Sequence, residues 1–291
     1  MRSLFTLALT ALVVSASAQY GTFNAAAVKA SKATTTVVVL DGGDSPYNRT
    51  LMNAVKSHWT FTTEVEFITV GDLGMQPISP EKIYLLKTAK VDPVKFEATF
   101  LTLVKGWKAK KGEILQQKDN AFTNIPSEHE LAFLMIDAKA INENLNTGML
   151  NVYVKHLQDY LKQVESGKIT DKATADRLYA GRTRLIRDTE LWIGKEHLDK
   201  SLVDIAAVKE SYTAPVKLAG VGELMGVVEA QDRTITVSDV LLTGEYKTKH
   251  CFKRIFNAGT GELMYMGDDA ALAGKKEGLL SQDLLNVMRA R

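Results

Sequence analysis

The chain lacks most of the features that announce a mechanism. It has one cysteine in 291 residues, so an intramolecular disulfide is excluded. A chain of this length can bury a sufficient core without such staples. Its 36 basic and 34 acidic residues leave a net charge of +2, which excludes the strong basic field of bulk nucleic-acid binding. Beyond the amino terminus no apolar run approaches the ~18 residues of a membrane span. There is no Gly-x-Gly-x-x-Gly, no P-loop, no Gly-x-Ser-x-Gly elbow, no His-Glu-x-x-His and no aspartate-rich calcium loop. No catalytic residue, cofactor or metal is therefore indicated by any motif. What remains is ordinary globular composition, 45% hydrophobic and 24% charged, which rules out collagen-like and disordered chains.

The clearest positive signal is at the start. Arg2 supplies a short basic region, Leu4 to Val14 an apolar stretch, and Ala16-Ser17-Ala18 a small-residue cleavage site. This pattern reads as a secretory signal peptide over residues 1–18, cleaved after Ala18 to leave Gln19. No cysteine follows the apolar stretch, so a bacterial lipid anchor is not expected. Cys251 lies in Lys249-His250-Cys251-Phe252 within an expected strand. Adjacent strand residues point to opposite faces, so Cys251 is expected as a buried thiol and not as a partner of His250. Asn48-Arg49-Thr50 is a formal glycosylation sequon, relevant only in a eukaryotic secretory route. The disulfide-free exported chain reads as bacterial.

Residues 19–33 are rich in small residues and read as a loose leader. Thr35 to Leu40 is β-branched and reads as a buried strand. Asp41-Gly42-Gly43-Asp44 forms a turn, and Ser45-Pro46 opens a helix running to about Trp59. Glu64 to Val70 is the next strand, completing a strand–helix–strand unit. Strands are expected over Phe96–Val104 and Glu130–Ile136. An amphipathic helix is expected over Leu150–Val164, ended by Ser166-Gly167, and a further helical segment over Asp171–Arg187.

The second half repeats the first. Ala54-Val55-Lys56-Ser57-His58-Trp59-Thr60 is echoed by Ala207-Val208-Lys209-Glu210-Ser211-Tyr212-Thr213. Val65 to Leu73 is echoed by Val216 to Leu224, each ending in Val-Gly-acid-Leu. Glu190–Ile193 matches the first strand, with a helix start at Lys195–Asp199. The chain closes with a hairpin, Lys249–Asn257 and Glu262–Met266 around Ala258-Gly259-Thr260-Gly261, and a short helix over Gln282–Met288. The expected fold is α/β, with two related strand-helix-strand lobes, mixed sheets and an internal duplication. The first lobe spans 34–148, a helical connector 149–188 and the second lobe 189–291. The lobes share one sheet or form two.

The chemistry candidates are few. Asp41, Asp44 and Ser45 lie between a strand and a helix, where α/β sheets bind ligands. The same residues also make a plain turn with a helix cap. Trp107, among Lys105, Lys108, Lys110 and Lys111, is a candidate contact for an anionic glycan or lipid, or else an exposed hairpin tip. Glu128-His129-Glu130 has no companion histidines at ligand spacing. Asp268-Asp269 reads as a solvated face. Trp59 and Tyr212 are expected to pack their helix ends onto a sheet.

At the duplicated Ala-Val-Lys…aromatic-Thr and Val-Gly-acid-Leu segments, the chain resembles uncharacterised secreted proteins of Bacteroidota-type bacteria. Phe252-Lys253-Arg254-Ile255 with Thr260-Gly261-Glu262-Leu263 carries the same resemblance. It covers about Thr35 to Gly267 and brings no catalytic residues. No β-sandwich sorting domain is visible at the C-terminus. The resemblance implies the periplasm or association with the outer membrane. Three functions follow as expectations. The first is a non-enzymatic interaction or scaffold protein of the bacterial envelope, with an envelope partner or self-association and an exposed apolar patch. The second is a two-lobed small-ligand-binding protein. The third is a hydrolase with paired carboxylates in a cleft.

Overall fold

The computed structural model describes residues 20–92, 96–245 and 249–291. The expected signal peptide, Met1–Ala18, lies outside the described residues. The first half runs α1 (Ala25–Ser31), β1 (Thr35–Leu40), α2 (Pro46–His58), β2 (Val65–Thr69), α3 (Val70–Met75), β3 (Lys82–Asp92), β4 (Phe96–Lys105), a ribbon β5 (Gln117–Lys118) and β6 (Ala121–Phe122), then β7 (Glu130–Ile136). Helices α4 (Ala138–Asn142), α5 (Met149–Glu165) and α6 (Lys172–Thr183) follow. The second half runs β8 (Glu190–Gly194), α7 (Ile205–Ser211), β9 (Val216–Ala219), α8 (Val221–Glu229), β10 (Ile235–Thr243), β11 (His250–Asn257), β12 (Leu263–Ala270) and α9 (Ser281–Arg289).

The fold is α/β, built on two mixed sheets. The first has the order β2-β1-β3-β4-β7 and the second β9-β8-β10-β11-β12. In the first, β1 is parallel to both β2 and β3, and β4 is antiparallel to β3 and β7. In the second, β8 is parallel to β9 and β10, and β11 is antiparallel to β10 and β12. The two sheets thus share strand order and direction. Short parallel strands joined through helices, then an antiparallel meander, account for both.

Strands β1 and β7, covered on both faces, show near-continuous apolar runs. Val37, Val38 and Val39 of β1 are all buried, as are Leu134, Met135 and Ile136 of β7. Helix α2 starts where Ser45 Oγ accepts the Asn48 N–H at 3.1 Å, with Pro46 in its first turn. The Lys195–Asp199 helix start is a correction. Only a 3₁₀ turn covers Lys195–His197, and α7 begins at Ile205, capped by Asp204.

Helices α5 and α6 and the 3₁₀ turn Arg184–Asp188 fall within 149–188, and α5 does more than connect. Eleven of its 17 residues are buried, so it is a core helix. Tyr153, Leu157 and Leu161 pack in one cluster with Leu101 and Leu134 of the first sheet and Val237 and Phe256 of the second. Edge strand β7 abuts the second sheet, where Phe100 and Met135 meet Leu241 and Phe252. Arg254 of β11 seals this seam. It is fully buried, forms an ion pair with Asp239 at 2.5 Å and donates to the Met135 carbonyl at 2.8 Å. Tyr153 donates its hydroxyl proton to the same Asp239 carboxylate at 3.0 Å.

The stretch after Gln19 is not a loose leader. Tyr20 is buried and stacks on Tyr179 at 6.1 Å. Its hydroxyl bonds to Asp176. The Thr22 N–H donates to the Leu131 carbonyl at 3.1 Å, covering the edge of β7. Gly21 is required there, since a Cβ would lie 2.1 Å from the Leu131 oxygen.

Candidate functional site

The Asp41 turn sits between β1 and β3, where the parallel part of the first sheet reverses its order. Asp41 is buried and pairs with the buried Lys87 ammonium of β3 at 2.6 Å. That ammonium also lies 4.3 Å from the Tyr47 ring centroid. Burial lowers the Lys87 pKa, and the Asp41 carboxylate opposes that shift. Asn48 closes the turn. It accepts from the Asp41 N–H at 2.7 Å and donates to the Asp41 and Gly43 carbonyls at 3.0 and 2.7 Å. Gly43 holds φ +78°, the left-handed region that favours glycine. Asn48 is thereby consumed inside the fold, and its side chain is buried rather than free for a glycan.

The residues singled out from sequence therefore separate. Asp41 is one half of an internal ion pair, and Ser45 caps α2. Asp44 forms an exposed pair with Arg49 at 2.6 Å. Trp107 is not an exposed tip. It is buried, donates Nε1–H to Glu113 at 2.9 Å and stacks on His129 at 4.7 Å. Glu130 is buried and pairs with Lys90 at 2.6 Å, and its desolvation pushes its pKa up. Trp59 is buried, with Nε1–H donating to Thr36 at 3.0 Å, and Tyr212 is fully buried, so both aromatics pack their helix ends. Cys251 is buried and its thiol is pushed up to about 12 by desolvation.

Phe252-Lys253-Arg254-Ile255 turns out to be internal circuitry. Lys253 points away from Arg254 and meets Asp269 at 2.6 Å and Asp283 at 2.7 Å. Asp269 is held below the usual carboxylate range by Lys253 and Lys276, against the opposing effect of its own burial. It is thus tied into this cluster and is not simply a solvated face. At the matching crossover of the second sheet, Ser238 accepts from the Gly194 N–H at 3.0 Å and meets His197 Nδ1 at 2.8 Å. Ser238 is sealed from solvent, so the pair is structural. Among the described residues no three His, Cys, Asp or Glu side chains group to hold a metal. No helix among them is long and apolar enough to cross a membrane.

The concave feature built from both sheets lies elsewhere. A groove of about 650 Å³ runs between the ends of β4 and β7 and the end of β10. It is lined by Glu97 and Thr99 of β4, Asp137 and Lys139 beyond β7, and Leu241 to Glu245 at the end of β10. Val91 at 68% and Leu242 at 44% exposure stand on its rim. Gly244 and Glu245 carry the surface on to Leu272, also exposed at 48%. None of these residues was singled out from sequence. A lone leucine or valine at a strand end has no periodic signal, and only the packing of one sheet on the other brings them together.

No protein-family model matches the chain, and no curated protein or solved structure matches it either.

Proposed function

We propose that the chain is an exported, non-enzymatic binding protein of a bacterial envelope, which holds a partner protein in the groove between its two sheets. The observation that carries this reading is the exposed apolar side chains Val91 and Leu242 on one groove, with exposed Leu272 in an adjoining hollow that shares Gly244 and Glu245 with it. Contiguous exposed apolar surface rimmed by polar groups marks interaction sites. The groove is open to solvent and lies between two structural units, which suits a protein segment better than an enclosed small ligand. Export is supported by the Arg2, Leu4–Val14 and Ala16-Ser17-Ala18 pattern and by the resemblance to secreted Bacteroidota-type proteins. The shared strand order of the two sheets supports descent from one duplicated unit.

The test is affinity capture from envelope extract with the mature chain and with Leu242→Asp. A partner retained by the wild type and lost with Leu242→Asp is the expected result. A monomeric mature chain that captures nothing, or captures the same proteins with both forms, sinks the reading.

A further inference from the structure

We infer that the corner where α6 meets α9 is a separate interaction surface, an arginine cluster that docks on the phosphate headgroups of a lipid membrane. It does not depend on the groove. The chain has ten arginines, and five of them, Arg177, Arg184, Arg187, Arg289 and Arg291, come together here from two segments distant in sequence. Arg177 and Arg291 line one hollow of about 650 Å³, with Ala180, Gly181, Met266 and Asn286 beside them. Arg187 lies in the 3₁₀ turn that follows α6. It donates to the Met288 carbonyl at 2.9 Å and to the Ala290 carbonyl at 2.7 Å. Those bonds hold the end of α9, with Arg289 and Arg291, against the turn that carries Arg184.

These five differ from other arginines of the chain in what faces them. Arg49 pairs with Asp44, Arg182 with Asp159 and Arg254 with Asp239. Among the described residues none of the five meets a carboxylate. Arg187 is bonded only to neutral carbonyls at a helix C-terminus and keeps its full charge. Of the neighbouring acids, Asp176 is taken by the Tyr20 hydroxyl and by Lys172 at 2.6 Å. Glu190 accepts the Trp192 Nε1–H at 2.7 Å. Asp188 and the carboxylate of Arg291 remain, two negative charges against five positive. Residues 1–19, 93–95 and 246–248 lie outside the described ones and contain no aspartate or glutamate, so none of them can neutralise the patch.

The chemistry of the patch selects the ligand. A guanidinium presents a planar fork that matches phosphate oxygens in pairs and sheds water more readily than an ammonium. Leu185, exposed at 41%, sits in the same turn as Arg184 and Arg187. An apolar side chain among arginines fits a membrane surface, where the leucine enters the acyl boundary while the guanidinium groups meet headgroups. A free phosphate offers that leucine nothing.

The probe is vesicles of phosphatidylcholine carrying one third phosphatidylglycerol, with pure phosphatidylcholine vesicles alongside, co-sedimented with the mature chain at low salt. The expected result is saturable binding to the anionic vesicles, at least tenfold weaker binding to the neutral ones, and loss of binding at high salt. Arg177→Glu with Arg184→Glu, both exposed, weakens binding at least tenfold. Arg177→Gln with Arg184→Gln gives a smaller loss in the same direction, and Leu185→Ser a loss of about threefold. Lys110→Glu with Lys111→Glu makes the same change in charge beside Trp107 and leaves binding as it was. Equal binding to both kinds of vesicle overturns the inference. So does a loss as large with the lysine pair as with the arginine pair, which shows diffuse charge at work. Saturable binding of inorganic phosphate by calorimetry, without binding to vesicles, reduces the patch to an ion site and also overturns it. None of these outcomes touches the groove, whose own test is Leu242→Asp.

Discussion

The two sheets have one topology and two ways of being covered. On the face away from α2, the first sheet is closed by its own chain, through α3 and the residues between β4 and β7, which bring Leu73, Trp107 and Phe122 onto it. The second sheet has only a tight turn between β11 and β12, so the equivalent face is bare of insertions. It is closed by α8, and beyond it by α5 and the edge of β7, both of which lie outside residues 189–291. The polar content of the two faces differs accordingly. In the first sheet it is a neutral hydroxyl pair, Thr88 and Thr102 at 2.7 Å, and the ion pair of Lys90 with the buried Glu130. In the second it is charged, with Arg254 and Asp239 buried where the halves meet.

The largest expected effect breaks that seam. Arg254→Ala leaves Asp239 buried without its cation and the Met135 carbonyl without a donor. Removing one partner of a buried pair costs about 3–5 kcal/mol. The second sheet carries Trp192 alone, while Trp59 and Trp107 report on the first. Urea unfolding followed through single-tryptophan variants is expected to show both sheets losing stability in one transition. A shift confined to Trp192 would show that the sheets are separately stable. The paired replacement Arg254→Met with Asp239→Leu is expected to recover most of the loss.

The next effect sharpens the comparison through pH. His156 of α5 lies at the seam, 5.5 Å from Phe256 and 6.2 Å from Tyr179, with Nδ1 unpartnered. Burial lowers it from 6.5 to about 4, with Asp159 opposing the shift and Arg254 and Arg182 assisting it. The folded state therefore resists a proton that the unfolded state accepts. Stability is full above pH 6.5, falls as the pH drops through that window, and levels off below about pH 4. The shift corresponds to about 3 kcal/mol at most. Denaturation midpoints between pH 7 and 4 should show this slope in the wild type and a flatter one in His156→Leu. An unchanged slope in the variant would remove His156 as the cause.

The smallest effects lie within the first sheet's own turn. Ser45→Ala removes the α2 cap and is expected to cost about 1 kcal/mol. Asp44→Ala removes only an exposed pair and should stay within about 0.5 kcal/mol. Equal losses in thermal melts would contradict the separate roles of these neighbours.

Local structure was legible where one residue pattern had one physical solution. The β-branched run of β1, the Ser45-Pro46 start of α2 and the amphipathic stretch of α5 all appear where expected. Strands β3 and β10 were not read, because each mixes buried charge or hydroxyls into its apolar run. Lys87 and Thr88 interrupt β3, and Ser238 and Asp239 interrupt β10. Their partners, Asp41, Thr102, His197 and Arg254, sit on other elements, and only the fold supplies them. Trp107 was misplaced for a related reason. Four nearby lysines suggested solvent, whereas the indole is held inward by Glu113 and His129. The groove was illegible altogether, since its walls come from strand ends in both halves.

Helix α5 carries a consequence for how such a chain can change over generations. It lies outside residues 189–291, yet its side chains finish the core of the second sheet. A gene fragment for residues 189–291 moved into another setting would deliver a sheet with one apolar face covered by α8 alone. The first half moved alone would carry a helix shaped for an absent neighbour. The halves look like interchangeable copies in their strand order, but inheritance has to keep them together.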